Sequence, residues 1–192
     1  MQDYIIKSLT QAHNMVTQMM ADPHLIQTIE HAAKELTRTL KQKGRIITCG
    51  NGGSMCDAMH FAEELSVCFR QKRPALSAIA ISDVAHLTSA ANDFGYEQVF
   101  ARFIEANARK GDALLAISTS GKSPSIINAA IQARLEGVLV IGLTGRAICD
   151  LTPHTNILIH TPPANDTDRI QECHIKILHI LIELIEHQLF GK

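Results

Sequence analysis

The chain has 192 residues, a formal net charge of −1 and 46% hydrophobic residues, enough for one domain with a full core. The near-neutral charge and the 4% aromatic content argue against nucleic acid as a partner, and no apolar run reaches the roughly 20 residues that span a membrane. Five cysteines, scattered and never spaced C-x-x-C, read as reduced thiols of a cytoplasmic protein, and Met1-Gln2-Asp3-Tyr4 lacks the basic start and apolar centre of a signal peptide.

In chain order, residues 3–20 and 24–43 carry apolar positions at helical spacing, split by Asp22-Pro23. Leu25, Ile29, Ala32, Ala33, Leu36 and Leu40 form one stripe. Gly44 ends the second helix, and Arg45–Cys49 reads as a buried strand. The loop Gly50-Asn51-Gly52-Gly53 then opens a helix over Ser54–Arg70. Leu76–Ile81 is a second strand. Asp83–Ala91 and Glu97–Ala108 read as helices separated by a turn, Asn92-Asp93-Phe94-Gly95. Asp112–Ile117 is a third strand, followed by the hydroxyl-rich loop Ser118-Thr119-Ser120-Gly121-Lys122-Ser123 and a helix to about Leu135. Gly137 breaks that helix. Val138–Leu143 and Ile157–His160 are the fourth and fifth strands, and a long final helix covers about Asp168 to Leu189.

Strands alternating with helices predict an α/β fold, a five-stranded parallel sheet covered by helices on both faces, in one domain over residues 1–192. Ligands of such sheets sit at the carboxyl ends of the strands, where both special loops lie. The hairpin of residues 1–43 precedes the sheet and cannot bury all its apolar positions on it. The stripe on residues 25–40 is therefore expected to pack against other subunits.

A strand, a glycine loop and a helix start make an anion site, because bare amides and the positive helix end converge. The loop departs from the dinucleotide fingerprint, having Met55 where the last glycine belongs. A glycine turn alone is more often a plain strand-to-helix connection. The second loop has the same double reading. One Ser or Thr before a helix is an ordinary N-cap, whereas four hydroxyls in six residues suit a sugar phosphate. Lys122 either adds charge there or is simply solvated. His60 and Glu64 stand four apart on one helix face and could share a metal ion or a proton, although a lone His is commonly a satisfied boundary residue. Glu63 points about 100° away, toward solvent. Gln171, His174 and His179 interrupt the apolar pattern of the final helix, with His174 also readable as a polar boundary residue.

The segments Cys49–Ser54, Asp57–Leu65, Asn92–Gly95, Ser118–Gly121, Asp168–Glu172, His174–Lys176 and His179–Ile182, taken in order, resemble the sugar isomerase (SIS) family and within it the phosphoheptose isomerases. The resemblance covers nearly the whole chain. It implies a flavodoxin-like three-layer domain and the isomerisation of sedoheptulose 7-phosphate to D-glycero-D-manno-heptose 7-phosphate through an enediol, for ADP-heptose and lipopolysaccharide core synthesis. It also implies a homotetramer with the N-terminal hairpin and the final helix at its interfaces, and one zinc per subunit. His60, Glu64, Gln171 and His179 are then the zinc ligands, and Glu64 and His179 the acid/base pair. The sugar phosphate is contacted by Asn51, Gly52, Gly53, Glu64, Asn92, Asp93, Ser118, Thr119, Ser120, Ser123 and Gln171, with Asp168 near the reacting end. Cys68 stands where the family usually carries an arginine, and Arg146–Asp150 replaces a glycine-rich stretch. The alternative is a non-catalytic SIS-fold tetramer of the kind that binds the replication initiator DnaA. Those proteins lack the second glutamate of the Glu-Glu pair, and this chain keeps Glu64.

Overall fold

The computed structural model describes residues 1–191. Two antiparallel-reading helices come first, α1 (Gln2–Met20) and α2 (Pro23–Lys41). Asp22 caps α2, accepting from the backbone N–H groups of His24 and Leu25 at 3.0 Å each, and Pro23 fills the first helical position, where no amide partner is needed. Then follow β1 (Ile46–Gly50), α3 (Gly53–Ser66), β2 (Ala78–Ala80), α4 (Val84–Phe94), α5 (Val99–Asn107), β3 (Ala113–Ser118), α6 (Pro124–Leu135), β4 (Leu139–Thr144), β5 (Ile157–His160) and α7 (Thr167–Phe190).

The five strands are all parallel in the order β2-β1-β3-β4-β5. Strand alternation divides the core into two layers. Ile46, Ala113, Leu115, Ile117, Ile141 and Leu143 face α2, α3 and α7, while Ile47, Cys49, Leu114, Ala116 and Val140 face α4, α5 and α6. Burial on both faces explains why β3 reads as an unbroken apolar run. This is the three-layer architecture expected.

Several boundaries differ from the sequence expectation, each for a physical reason. α3 stops at Ser66 and not at Arg70, because the Arg73 guanidinium takes the carbonyls of Glu64 and Leu65 at 2.8 and 2.7 Å. Asn92, Asp93 and Phe94 form the last turn of α4 and not a separate turn. The stop is Gly95, which adopts φ +87°, a conformation open to glycine. The α2 stripe is buried within the chain, with Leu25, Ala32, Ala33 and Leu36 at most 2% exposed in the same core layer as Leu178 and Ile182 of α7, so it is not available to other subunits. The hairpin's apolar positions left in solvent are mostly on α1, Tyr4, Ile5, Ile6, Leu9, Val16 and Met20, with Ile26 on α2.

Gly50 ends β1 where α3 crosses closest, and a Cβ there would lie 2.3 Å from the Ser54 carbonyl oxygen. Gly50→Ala should push α3 off the strand and destabilise the fold by about 1–3 kcal/mol, read as a lower urea midpoint with unchanged m-value. An unshifted midpoint contradicts this packing.

Candidate active site

The register of the sheet sets the first half of the site. Gly50 of β1 pairs with Ile117 of β3, so the glycine loop and the hydroxyl loop leave adjacent strand ends side by side. Asn51 ties them together: its Nδ2 donates to Ser125 Oγ in the first turn of α6 at 2.9 Å, and its Oδ1 accepts from the Tyr96 hydroxyl at 2.8 Å. Gly52 takes φ +56° with open space around it, and Gly53 begins α3 directly against the Gln171 side-chain amide.

The hydroxyl loop is partly self-satisfied. Ser118 Oγ accepts from the Gly121 N–H and Ser120 Oγ from the Lys122 N–H, both at 3.1 Å, and Ser118 Oγ donates to Ser123 Oγ at 3.4 Å, leaving the Ser120 hydroxyl proton to donate elsewhere. Ser123 precedes the first residue of α6 without capping it through its side chain. The Arg146–Asp150 stretch leans on this loop: the Leu151 N–H donates to the Gly121 carbonyl, and Cys149 packs where a Gly121 side chain would be. A cleft of about 660 Å³ opens beside Thr119 and Ser120 between α1 and the start of α7, lined also by Gln18, Arg146 and Asn165.

The second half of the site lies between α3 and α7. His60 Nε2 and His179 Nε2 face each other at 2.9 Å, and Glu64 reaches to 3.6 Å of the same His60 nitrogen. Glu63, exposed as expected, nevertheless places a carboxylate oxygen 3.6 Å from His60 Nδ1. Two imidazole nitrogens pointing at one spot need either one shared proton or a cation between them. His60, Glu63 and Glu64 hold their donor atoms within 4.8 Å of one another. The donor set of imidazoles and carboxylates suits zinc, with Glu63 on the far side of the His60 ring as an orienting carboxylate. Burial holds the His179 imidazole below its ordinary range, helped by His60 and Lys176 and opposed by Glu64. The Phe69 ring stacks on it at 5.5 Å. On the same helix as His60, burial raises the Asp57 carboxyl while His60 pulls it down.

The remaining expected site residues are spread out. Gln171 lies against Gly53 and links the glycine loop to α7. Asn92 and Asp93 are exposed at the end of α4 and bond to each other, Nδ2 to Oδ1 at 2.8 Å. Asp168 sits in the exposed first turn of α7, where the Arg169 guanidinium holds its carboxyl below the usual range. Tyr96, Ser125 and Phe69 were not anticipated. Each follows an expected site residue closely, Tyr96 after Asp93, Ser125 after Ser123 and Phe69 after Glu64, but its partner lies far along the chain.

His174 is fully buried on α7, and neither ring nitrogen closes a hydrogen bond of normal geometry. Burial pushes its pKa from 6.5 down to about 4, with the nearby Thr144 backbone pulling weakly the other way. The folded protein thus keeps this imidazole neutral while the unfolded chain protonates it below about 6.5. The unfolded state binds more protons in that window. The stability His174 allows is complete above pH 6.5 and falls as pH drops toward 4, by about 2 kcal/mol at pH 5. Urea melts at pH 7.5 and 5 should show this loss, and His174→Leu should reduce it. An equal loss in His174→Leu would assign the effect to other groups.

The SIS-domain family profile matches residues 9–145 of the chain. The phosphoheptose isomerase of Sodalis glossinidius is 50% identical over 191 residues, 100% of this chain and 98% of its own length. That of Vibrio vulnificus is 47% identical over 188 residues, 98% of both chains. Among solved structures, the phosphoheptose isomerase GmhA from Neisseria gonorrhoeae superposes with a TM-score of 0.89 at 32% identity, over 96% of this chain and 98% of its own.

Proposed function

The chain belongs to the SIS-domain family and, within it, to the phosphoheptose isomerases, and we propose that it converts sedoheptulose 7-phosphate to D-glycero-D-manno-heptose 7-phosphate with Glu64 and His179 as its acid/base pair. The observation that carries this assignment of roles is the meeting of His60, Glu64 and His179 on facing helices. The non-catalytic alternative is not favoured: full-length relatives are isomerases, and Glu64 is present and aimed at the histidine pair.

The reaction moves a proton between C1 and C2 of a sugar whose phosphate lies at the other end. The hydroxyls of Ser118, Thr119, Ser120 and Ser123, with the amides that open α6, hold the phosphate. Asn51, Gly52, Gly53 and Gln171 line the adjoining glycine loop and receive the sugar hydroxyls, with Asn92, Asp93 and Asp168 completing the contacts. The Glu64 carboxylate removes the C1 proton of the ketose and returns it to C2. His179, whose pKa burial pushes below its ordinary value, accepts a hydroxyl proton on one oxygen and gives it back on the other, so that a cis-enediol lies between. Zinc, held by His60, Glu64, Gln171 and His179, would polarise the C1–C2 oxygens and lower the cost of the enediolate.

The protein acts as a homotetramer in the cytoplasm. Two observations support shared sites. The cleft at the hydroxyl loop includes none of His60, Glu64 or His179, and α1 leaves Tyr4, Ile5, Ile6 and Leu9 in solvent. No helix among the described residues is long and apolar enough to cross a membrane.

Turnover of sedoheptulose 7-phosphate, followed with and without added zinc, tests the reading. Glu64→Gln should keep the fold and lower kcat by about 10²–10⁴-fold. Full activity in that variant would assign the wrong base. Thr119→Ala should instead raise KM by about 10–100-fold, since a hydrogen bond to a charged group is worth roughly 1.5–3 kcal/mol. An unchanged KM would remove the hydroxyl loop from the phosphate.

A further inference from the structure

Arg73 and Glu186 form the most deeply buried ion pair among the described residues, with side chains 4% and 13% exposed and Arg73 Nε 2.7 Å from Glu186 Oε1. Neither residue belongs to the site just described. The stretch carrying Arg73 follows α3 without regular structure, and this guanidinium is one of its ties to the body of the protein, beside Phe69, the Arg70–Glu183 pair and the Leu76 N–H bond to the Leu65 carbonyl.

All three guanidinium nitrogens are engaged. Nη2 donates to the carbonyl of Glu64 at 2.8 Å, and Nη1 to the carbonyls of Leu65 and Pro74 at 2.7 and 3.1 Å. The first two are among the carbonyls that a helix leaves unpaired at its C-terminus, where a cation also meets the negative end of the dipole. Through Glu186 the same group grips α7. Glu186 lies seven residues beyond His179, two turns along one helix face. Glu186 Oε1 also accepts from the Phe69 N–H at 3.4 Å, and the Phe69 ring stacks on His179. One buried cation therefore touches the backbone of Glu64 directly. It reaches His179 by two routes, along α7 and through Phe69.

We infer that Arg73, paired with Glu186, is a positioning residue for the Glu64–His179 acid/base pair: it sets the spacing of α3 and α7 at the point where the two side chains meet. The inference rests on the roles proposed above for Glu64 and His179. A buried ion pair often adds little to stability compared with apolar residues of similar size. What distinguishes this one is direction, because its planar fork is spent on the groups that carry the reacting side chains. A lysine cannot reproduce that, having one point of charge and no fork.

The test is steady-state kinetics on the full-length protein with sedoheptulose 7-phosphate. A displacement of about 1 Å at a reacting group can cost about 100-fold, so Arg73→Met should lower kcat by about that factor with KM within about three-fold of wild type. Arg73→Lys should recover part of the loss, since one ammonium reaches Glu186 or the carbonyls but not both. Glu186→Gln, which keeps an acceptor and loses the charge, should fall between Arg73→Lys and wild type. In a Glu64→Gln background, Arg73→Lys should lower kcat by a smaller factor than it does in the wild type, because one of the two groups it positions is already gone. A purely structural role predicts a lower melting temperature with kcat of the folded protein unchanged, and that result overturns the inference. A rise in KM that accounts for the whole loss also overturns it. If Arg73→Met does not fold, Arg73→Lys and Glu186→Gln decide by the same criteria. Full activity of Glu64→Gln alone would defeat the underlying assignment of the base. Normal behaviour of Glu64→Gln beside kcat within two-fold of wild type in both Arg73→Lys and Glu186→Gln would defeat only the positioning role.

Discussion

The site depends on the contact between α3 and α7. His60 and His179 are separated by 119 residues, yet their ring nitrogens stand 2.9 Å apart. The force that brings them together is ordinary apolar burial. Phe61 and Leu65 of α3 and Leu178, Leu181 and Ile182 of α7 are fully buried in one layer of the core. The polar groups ride on the rim of that seam, where a lost hydrogen bond to water must be replaced by a partner. Histidines facing each other, carboxylates at 3.6 Å and a stacked phenylalanine are what the rim offers.

The sheet supplies the other constraint. Parallel strands in the order β2-β1-β3-β4-β5 put the ends of β1 and β3 next to each other, so two loops rich in amides and hydroxyls open on one edge. Asn51 cross-links them through Ser125 and Tyr96. The loop end and the histidine–carboxylate end are thus built by different means, one by strand register and one by helix packing. Gln171, resting on Gly53, is the side chain that connects the two.

Chemistry on this architecture is decided by side chains and not by the fold, which hosts many activities. The distinguishing feature here is a carboxylate held beside two facing imidazoles. Burial pushes the His179 pKa below its ordinary value, and the α3 spacing delivers Glu64 to His60, whose ring faces His179. Just after Cys68, Phe69 stacks on the His179 ring and Arg73 holds the end of α3.

The amino-acid sequence by itself determined the alternation of strands and helices, the parallel sheet, the two loops at strand ends and the pairing of His60 with Glu64. These are short-range properties: a period of 3.6 or 2, an Asp-Pro cap, and a spacing of four on one helix. Gln171 and His179 were legible only through the order of motifs, because nothing local says which helix they will face. Tertiary structure alone decided that α7 and not another subunit covers the α2 stripe, that Asn92 and Asp93 stay helical until Gly95, and that Arg73 stops α3 at Ser66. Each of those outcomes turns on a partner far away along the chain. A buried stripe looks the same whichever surface covers it, and a helix end capped by a distant guanidinium carries no signal in its own residues.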